Sequence, residues 1–294
     1  MVNTANFISF PSPAKLNLFL HVVGQRPNGY HELETVFQFL DYGDTIELSV
    51  NNSNTIELLT PIEGVNNSDN LIFKAAKLLQ NQTKCNLGVQ IKIHKILPMG
   101  GGLGGGSSNA ATILLALNKL WDINLPTNQL TELGLSLGAD VPIFIKGFAA
   151  FAQGIGEVLT PISPTEYWYL VSKPSCSIST QDVFGSPELV RTTPKLLLNE
   201  NINNQDIDLQ IETYHNDCET IVIKNYPKVA NLLAWLIEYA PSRMTGTGAC
   251  IFSRFNSKNE AKKVQSTLPE GIESFIAKGI NQSPLIDAIK NLAN

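Results

Sequence analysis

Met99-Gly100-Gly101-Gly102-Leu103-Gly104-Gly105-Gly106-Ser107-Ser108 is the stretch on which the reading of this chain turns. Six glycines in seven residues are entropically costly, so a plain flexible turn is a poor explanation of them. Without Cβ atoms the backbone N–H groups can approach a phosphate closely. On the N-terminal side, Val89, Ile91 and Ile93 alternate with polar residues and predict a half-buried strand. On the other side, Ser107-Ser108-Asn109 opens an apolar helix carrying Ala110, Ile113, Leu114, Leu117 and Leu120. A glycine loop running from a strand into a helix N-terminus is an anion cradle, because the helix adds free N–H groups and the positive end of its dipole. The loop fits G-x-G-x-x-G formally. Asp122, at about the right distance for a dinucleotide ribose, nevertheless follows a long helix rather than ending a strand. The Walker pattern fails as well, since no lysine precedes Ser107. A cation for a bound triphosphate must come from elsewhere in the chain.

Pro13-Ala14-Lys15-Leu16-Asn17 supplies a candidate. Lys15 interrupts an apolar run, and Asn17, two residues on, shares its face of a strand. Gly138-Ala139-Asp140-Val141-Pro142 places a carboxylate at the end of a helix spanning 128–137, capped by Thr127, and before an apolar segment, Val141–Ile145, that reads as a strand. A carboxylate there can act as a base, bind a metal or simply cap a turn. Tyr30 and His31, beside the turn Gln25-Arg26-Pro27-Asn28-Gly29, can stack on a base and hydrogen-bond to it. Phe184 is a second aromatic for such a site. Ser242–Cys250 is another glycine loop, placed to close over the site.

Around these motifs, residues 7–60 read as β-rich. Strands at 35–40 and 45–50 are separated by a turn at Asp41-Tyr42-Gly43-Asp44. Asp69 is a candidate cap for a helix over 70–82. Pro161–Thr165 marks a boundary between domains 1–160 and 161–294. A polar loop covers 199–208, and a helix covers 227–239. Strands near 168–171, 250–255 and 273–277 and a helix near 258–267 complete an α+β second half. The chain has 294 residues with 21 Lys and Arg against 26 Asp and Glu, a balance that argues against nucleic-acid binding and a polybasic membrane surface. No apolar run is long enough to cross a bilayer. The start of the chain resembles neither a signal nor a transit peptide, and Cys85, Cys176, Cys218 and Cys250 form no CxxC, which together predict a cytoplasmic, bacterial protein with reduced thiols.

In this order, the lysine segment, the glycine-Leu-glycine-Ser-Ser loop and the late glycine loop resemble the GHMP kinase superfamily. Pro11–Leu20, Gly29-Tyr30-His31, Phe37–Asp44, Leu97–Ala111, Leu137–Pro142 and Thr245–Cys250 most resemble the branch that phosphorylates a cytidyl diphosphate alcohol in non-mevalonate isoprenoid synthesis. The resemblance implies a two-domain α+β GHMP fold, an N-terminal ATP-binding domain and a cleft between the domains. It implies ATP and Mg²⁺ as cofactors, the latter with no assigned ligands, and a small-molecule alcohol as substrate. It implies Asp140 as catalytic base with Lys15 as charged partner, and residues 99–108 on the phosphates. Asn70, Leu71, Ile72 and Lys95 would lie near adenine. Tyr30 and Phe184 would sandwich cytosine, His31 would hydrogen-bond it, and Asn17 and Thr180 would help hold the substrate. The alternatives are another GHMP kinase, acting on homoserine, mevalonate or a sugar, and a nucleotide-binding regulator without catalysis.

Overall fold

The computed structural model describes residues 6–62, 64–66, 69–196, 208 and 211–292. Two long strands form its spine. β1 (Ile8–Gln25) pairs antiparallel with β2 (His31–Asn51), and the chain reverses between them at Arg26–Tyr30. The break expected at Asp41–Asp44 is absent, and β2 runs through it. Thr45, Asp44 and Gly43 pair with Pro11, Ser12 and Pro13, and the register then shifts before Lys15 meets Phe39. The shift supplies the irregularity that the Asp-Tyr-Gly-Asp composition signalled, as a bulge within a strand rather than a turn. Gly43 permits it, because a Cβ there would lie 2.2 Å from the Ser12 carbonyl oxygen.

The remaining strands build outward from this pair. β2 also pairs with β4 (Gly88–His94), on which β3 (Ile56–Leu58) lies parallel, and with β5 (Ala150–Gln153), itself paired with β6 (Val158–Pro161). In the second half, β7 (Trp168–Lys173) lies between β10 (Glu273–Ile280) and β9 (Ile251–Phe255), and β9 carries β8 (Ser242–Met244). Gly279 and Ile280 of β10 pair with Leu40 and Phe39 of β2, so the two groups of strands are continuous.

Helices cover the first group with an apolar layer. α1 (Leu71–Thr83) is capped by the Asn70 side chain, which accepts from the Ile72 N–H, rather than by Asp69. α2 (Gly105–Leu120) begins inside the glycine loop and is buried along residues 108–118. α3 (Thr127–Leu137) starts without a side-chain cap from Thr127, which lies inside the helix. Residues 141–145, expected as a strand, are the helix α4 (Val141–Lys146). Pro142 suits a first helical turn, and Gly147, in the left-handed region at φ 71°, closes it by donating to the Ile143 carbonyl. All five residues from Val141 to Ile145 are buried, so no polar face betrayed the period. Asp140 therefore stands at a helix-to-helix junction.

The second half carries α5 (Thr180–Gly185), α6 (Asp217–Asn225), α7 (Pro227–Ile237) and α8 (Lys258–Gln265), while α9 (Pro284–Asn291) returns to the first core through Leu285 and Ile289. A central cluster, including Leu16, Leu97, Leu103, Val171, Cys250 and Phe252, joins the two halves beneath the glycine loop. The polar loop expected at 199–208 lies outside the described residues apart from Asp208. All four cysteines are free, and burial pushes the Cys218 and Cys250 thiols up to about 12, which leaves both unreactive.

Candidate active site

The two glycine loops lock together. Gly102, at φ +75°, is so close to the late loop that a Cβ would fall 2.2 Å from the Thr245 carbonyl oxygen. Ala249 and Cys250 donate their N–H groups to the Gly100 and Gly101 carbonyls, at 3.2 and 3.3 Å. Gly104, at φ +71°, precedes α2 and admits the Phe144 ring and the Lys15 side chain, 2.8 and 3.0 Å from where its Cβ would be. The first N–H groups of α2 have no partner within the helix. Gly105, Gly106 and Ser107, which carry them, line a cleft of about 1200 Å³. Such a volume exceeds that of an ordinary single-ligand pocket and leaves room for two ligands side by side.

Lys15 forms the floor of this cleft. Its side chain is buried, donates to Asn17 Oδ1 at 2.6 Å, lies 3.2 Å from Asp140 Oδ2, and sits 5.0 Å from the centre of the Phe37 ring. Asn17 is held in turn by the Thr35 hydroxyl at 3.0 Å, and its backbone N–H donates to Thr245 Oγ1 at 2.9 Å. Strand alternation thus puts Lys15 and Asn17 together, and α4 brings up Asp140 from the opposite side. The Asp140 carboxylate makes no capping bond to α4 and is about one-third exposed, so it is open to the cleft.

At one end of the cleft lie Asn70, Leu71, Ile72 and Lys95. Asn70 Oδ1 is used in capping α1, while its buried Nδ2 has no partner among the described residues. A buried donor without an acceptor is costly unless a ligand supplies one. Lys95 is held at 2.7 Å by Asp44, a residue that sequence reading assigned to a turn. Asp44 is 1% exposed and also accepts from the Ile96 and Leu97 N–H groups, each at 2.8 Å, and from Asn109 Nδ2 at 3.1 Å. It thereby fixes the segment leading into the glycine loop. Met99 through Ser107 line the cleft. Ser108 does not: its side chain is fully buried and its hydroxyl bonds to Ser12 at 3.0 Å.

At the other end are Tyr30, His31, Thr180 and Phe184. Tyr30 is exposed, and Thr180 shares a hydroxyl contact of 2.9 Å with Thr247 of the late glycine loop. Phe184 stacks on His31, with ring centroids 5.0 Å apart and planes 25° from parallel. His31 Nε2 accepts from Arg191 Nε at 3.0 Å, an arginine that carried no signal in the sequence. Burial, and then the Arg191 charge, hold the His31 imidazole below its ordinary value of 6.5. Among the described residues no group of three or more His, Cys, Asp or Glu side chains is arranged to hold a metal ion, and no helix is long and apolar enough to cross a membrane.

The sequence pattern of the GHMP kinases N terminal domain matches residues 70–148, and that of the GHMP kinases C terminal domain matches residues 196–273. The 4-diphosphocytidyl-2-C-methyl-D-erythritol kinase of Colwellia psychrerythraea strain 34H is 61% identical over 289 residues, 97% of this chain and 94% of that relative. The chain belongs to the 4-diphosphocytidyl-2-C-methyl-D-erythritol kinase family of GHMP kinases. A crystal structure of a 4-(cytidine 5'-diphospho)-2C-methyl-D-erythritol kinase superposes with TM-score 0.79 at 28% identity, covering 92% of this chain and 99% of that one. The mevalonate kinase of Methanococcus jannaschii shares the fold, with TM-score 0.64 at 15% identity over 96% of this chain and all of the other. The protein is therefore an ATP-using kinase with the two-part α+β architecture of the GHMP family.

Proposed function

We propose that this kinase transfers the γ-phosphoryl group of ATP to the 2-hydroxyl of 4-diphosphocytidyl-2-C-methyl-D-erythritol, with Asp140 as the base and Lys15 as its charged partner. The observation that carries this reading is the 3.2 Å approach of Lys15 Nζ to Asp140 Oδ2 midway along a cleft whose ends differ in chemistry. One end offers a backbone N–H cradle beside the unpartnered Asn70 amide, suited to a nucleoside triphosphate. The other offers the aromatic and imidazole groups Tyr30, His31 and Phe184, suited to a pyrimidine. Asn17, beside Lys15, and Thr180, at the aromatic end, would meet the substrate's polar chain.

A free alcohol is a weak nucleophile at neutral pH. The Asp140 carboxylate accepts the hydroxyl proton as the new O–P bond forms, and the bond from the γ-phosphorus to the bridging oxygen breaks to release ADP. Lys15 and the first N–H groups of α2 stabilise charge on the transferring group. Mg²⁺ bound with the nucleotide would offset the negative charge of its phosphates. Ser107 lines the cleft at the start of α2 and would hold the ion, whereas the Ser108 hydroxyl is committed to Ser12. A nucleotide unit at 1–160, a second unit at 161–294 and a cytoplasmic location belong to the same proposal.

The test is ADP release from ATP and Mg²⁺ with the cytidyl diphosphate alcohol, beside homoserine and mevalonate. Turnover with the cytidyl substrate alone is expected. Turnover only with another alcohol would overturn the substrate assignment, and tight ATP binding without turnover of any would favour a regulator.

A further inference from the structure

Arg191 spends its guanidinium in an unusual way. Nε donates to His31 Nε2 at 3.0 Å, Nη1 to the Leu189 carbonyl at 3.0 Å, and Nη2 to the Phe184 and Ser186 carbonyls at 3.0 and 2.8 Å. Four of the five N–H directions of the fork are thereby directed to neutral acceptors. Among the described residues no carboxylate pairs with it. An arginine is an expensive clamp for neutral carbonyls unless the geometry that it imposes is itself useful.

Two consequences follow from the bonds. An imidazole nitrogen that accepts from a guanidinium carries no proton, so the His31 proton resides on Nδ1. The Phe184 carbonyl is tied to the same guanidinium, which fixes the residue whose ring stacks on His31 at 5.0 Å. We propose that Arg191 is a positioning residue for the nucleobase, which sets His31 as an Nδ1–H donor and holds Phe184 against it, so that the pyrimidine meets a preformed wall and one defined hydrogen-bond donor. The inference rests on the functional reading above, in which this end of the cleft takes cytosine. The acceptor-rich edge of that base, with its ring nitrogen and carbonyl, matches a donor. Uracil carries N–H at the equivalent ring nitrogen and meets a donor with a donor. Burial and the adjacent guanidinium hold His31 neutral at pH 7, consistent with a single fixed tautomer.

Two measurements test this. Two-bond ¹H–¹⁵N correlation spectra report the protonated nitrogen of each histidine, and loss of one signal set in His31→Gln assigns His31. Protonation at Nδ1 is expected in the wild-type enzyme, and protonation at Nε2 would overturn the proposal without any appeal to a variant. Kinetically, Arg191→Met should raise KM for the cytidyl substrate about tenfold, the usual scale for losing one aligned buried hydrogen bond, and leave KM for ATP and kcat within about twofold. Arg191→Lys keeps the charge but not the fork, and should also raise KM. A wild-type KM in either variant, or equal losses for ATP and the cytidyl substrate, would overturn the positioning role. Absence of wild-type turnover with the cytidyl substrate would instead overturn the functional reading, a result separable from the tautomer measurement.

Discussion

Replacing Gly102 with alanine tests whether the contact between the two glycine loops shapes the cleft. The Cβ would sit 2.2 Å from the Thr245 carbonyl oxygen, at a position with φ +75°. A non-glycine residue in that conformation costs about 1–2 kcal/mol. Moving one packed backbone away from the new atom adds about 1–3 kcal/mol. The sum, about 2–5 kcal/mol, should lower Tm by about 4–10 °C in a chain of this size. Gly100 is the control. It has φ +64° but nothing within 4 Å of its would-be Cβ, so Gly100→Ala carries only the conformational cost, and should lower Tm by about 2–4 °C. The Gly102 variant should also lose activity, because the same loop frames Lys15 and the phosphate cradle, and a shift of about 1 Å there can cost about 100-fold. Thermal unfolding and steady-state kcat/KM for ATP, run on both variants, decide the matter. Equal melting temperatures and equal kcat/KM for the two would refute the claim that the loop contact is tight and functional.

Asp44→Asn turns an acceptor toward Lys95 and Asn109 into a donor, and should destabilise the protein by about 3–5 kcal/mol, read from the urea midpoint, with a raised KM for ATP. His21 is buried between Phe19, Tyr214 and His215, and among the described residues neither ring nitrogen has a hydrogen-bond partner. Burial lowers its pKa below 6.5, against an opposing pull from Asp217 and with smaller lowering by His215 and Arg243. The unfolded chain therefore binds this proton first as pH falls. The neutral histidine's contribution is complete above pH 6.5 and is lost as pH drops through the depressed folded value. Unfolding free energies between pH 7.5 and 5.5 should show a shallower acid slope in His21→Phe than in the wild type, and equal slopes would contradict this assignment.

Much of the site was legible in the sequence because its signals are local. A dense glycine run cannot be mistaken for a strand or helix interior, and Lys15 and Asn17 fall on one face by simple alternation. Asp140 lines the cleft but stands at a helix-to-helix junction rather than before a strand, because a six-residue helix buried from Val141 to Ile145 carries no polar stripe from which to read a period. Asp41–Asp44 read as a turn because Asp and Gly favour turns, whereas the close passage of Ser12 and Pro13 makes the same residues a bulge in β2. Asp44 and Arg191 escaped notice for a different reason. Each acts on partners 51 to 65 and up to 160 positions away respectively, and no spacing rule reports contacts made by folding alone.

The most direct test of the Lys15–Asp140 assignment is kcat for Asp140→Asn with the cytidyl substrate, measured beside ATP affinity. The substitution keeps the shape of the side chain and removes its capacity to take a proton. A fall in kcat of about 100- to 10,000-fold with ATP binding unchanged is the expected result. A kcat within about tenfold of the wild type would contradict the role of Asp140 as the base.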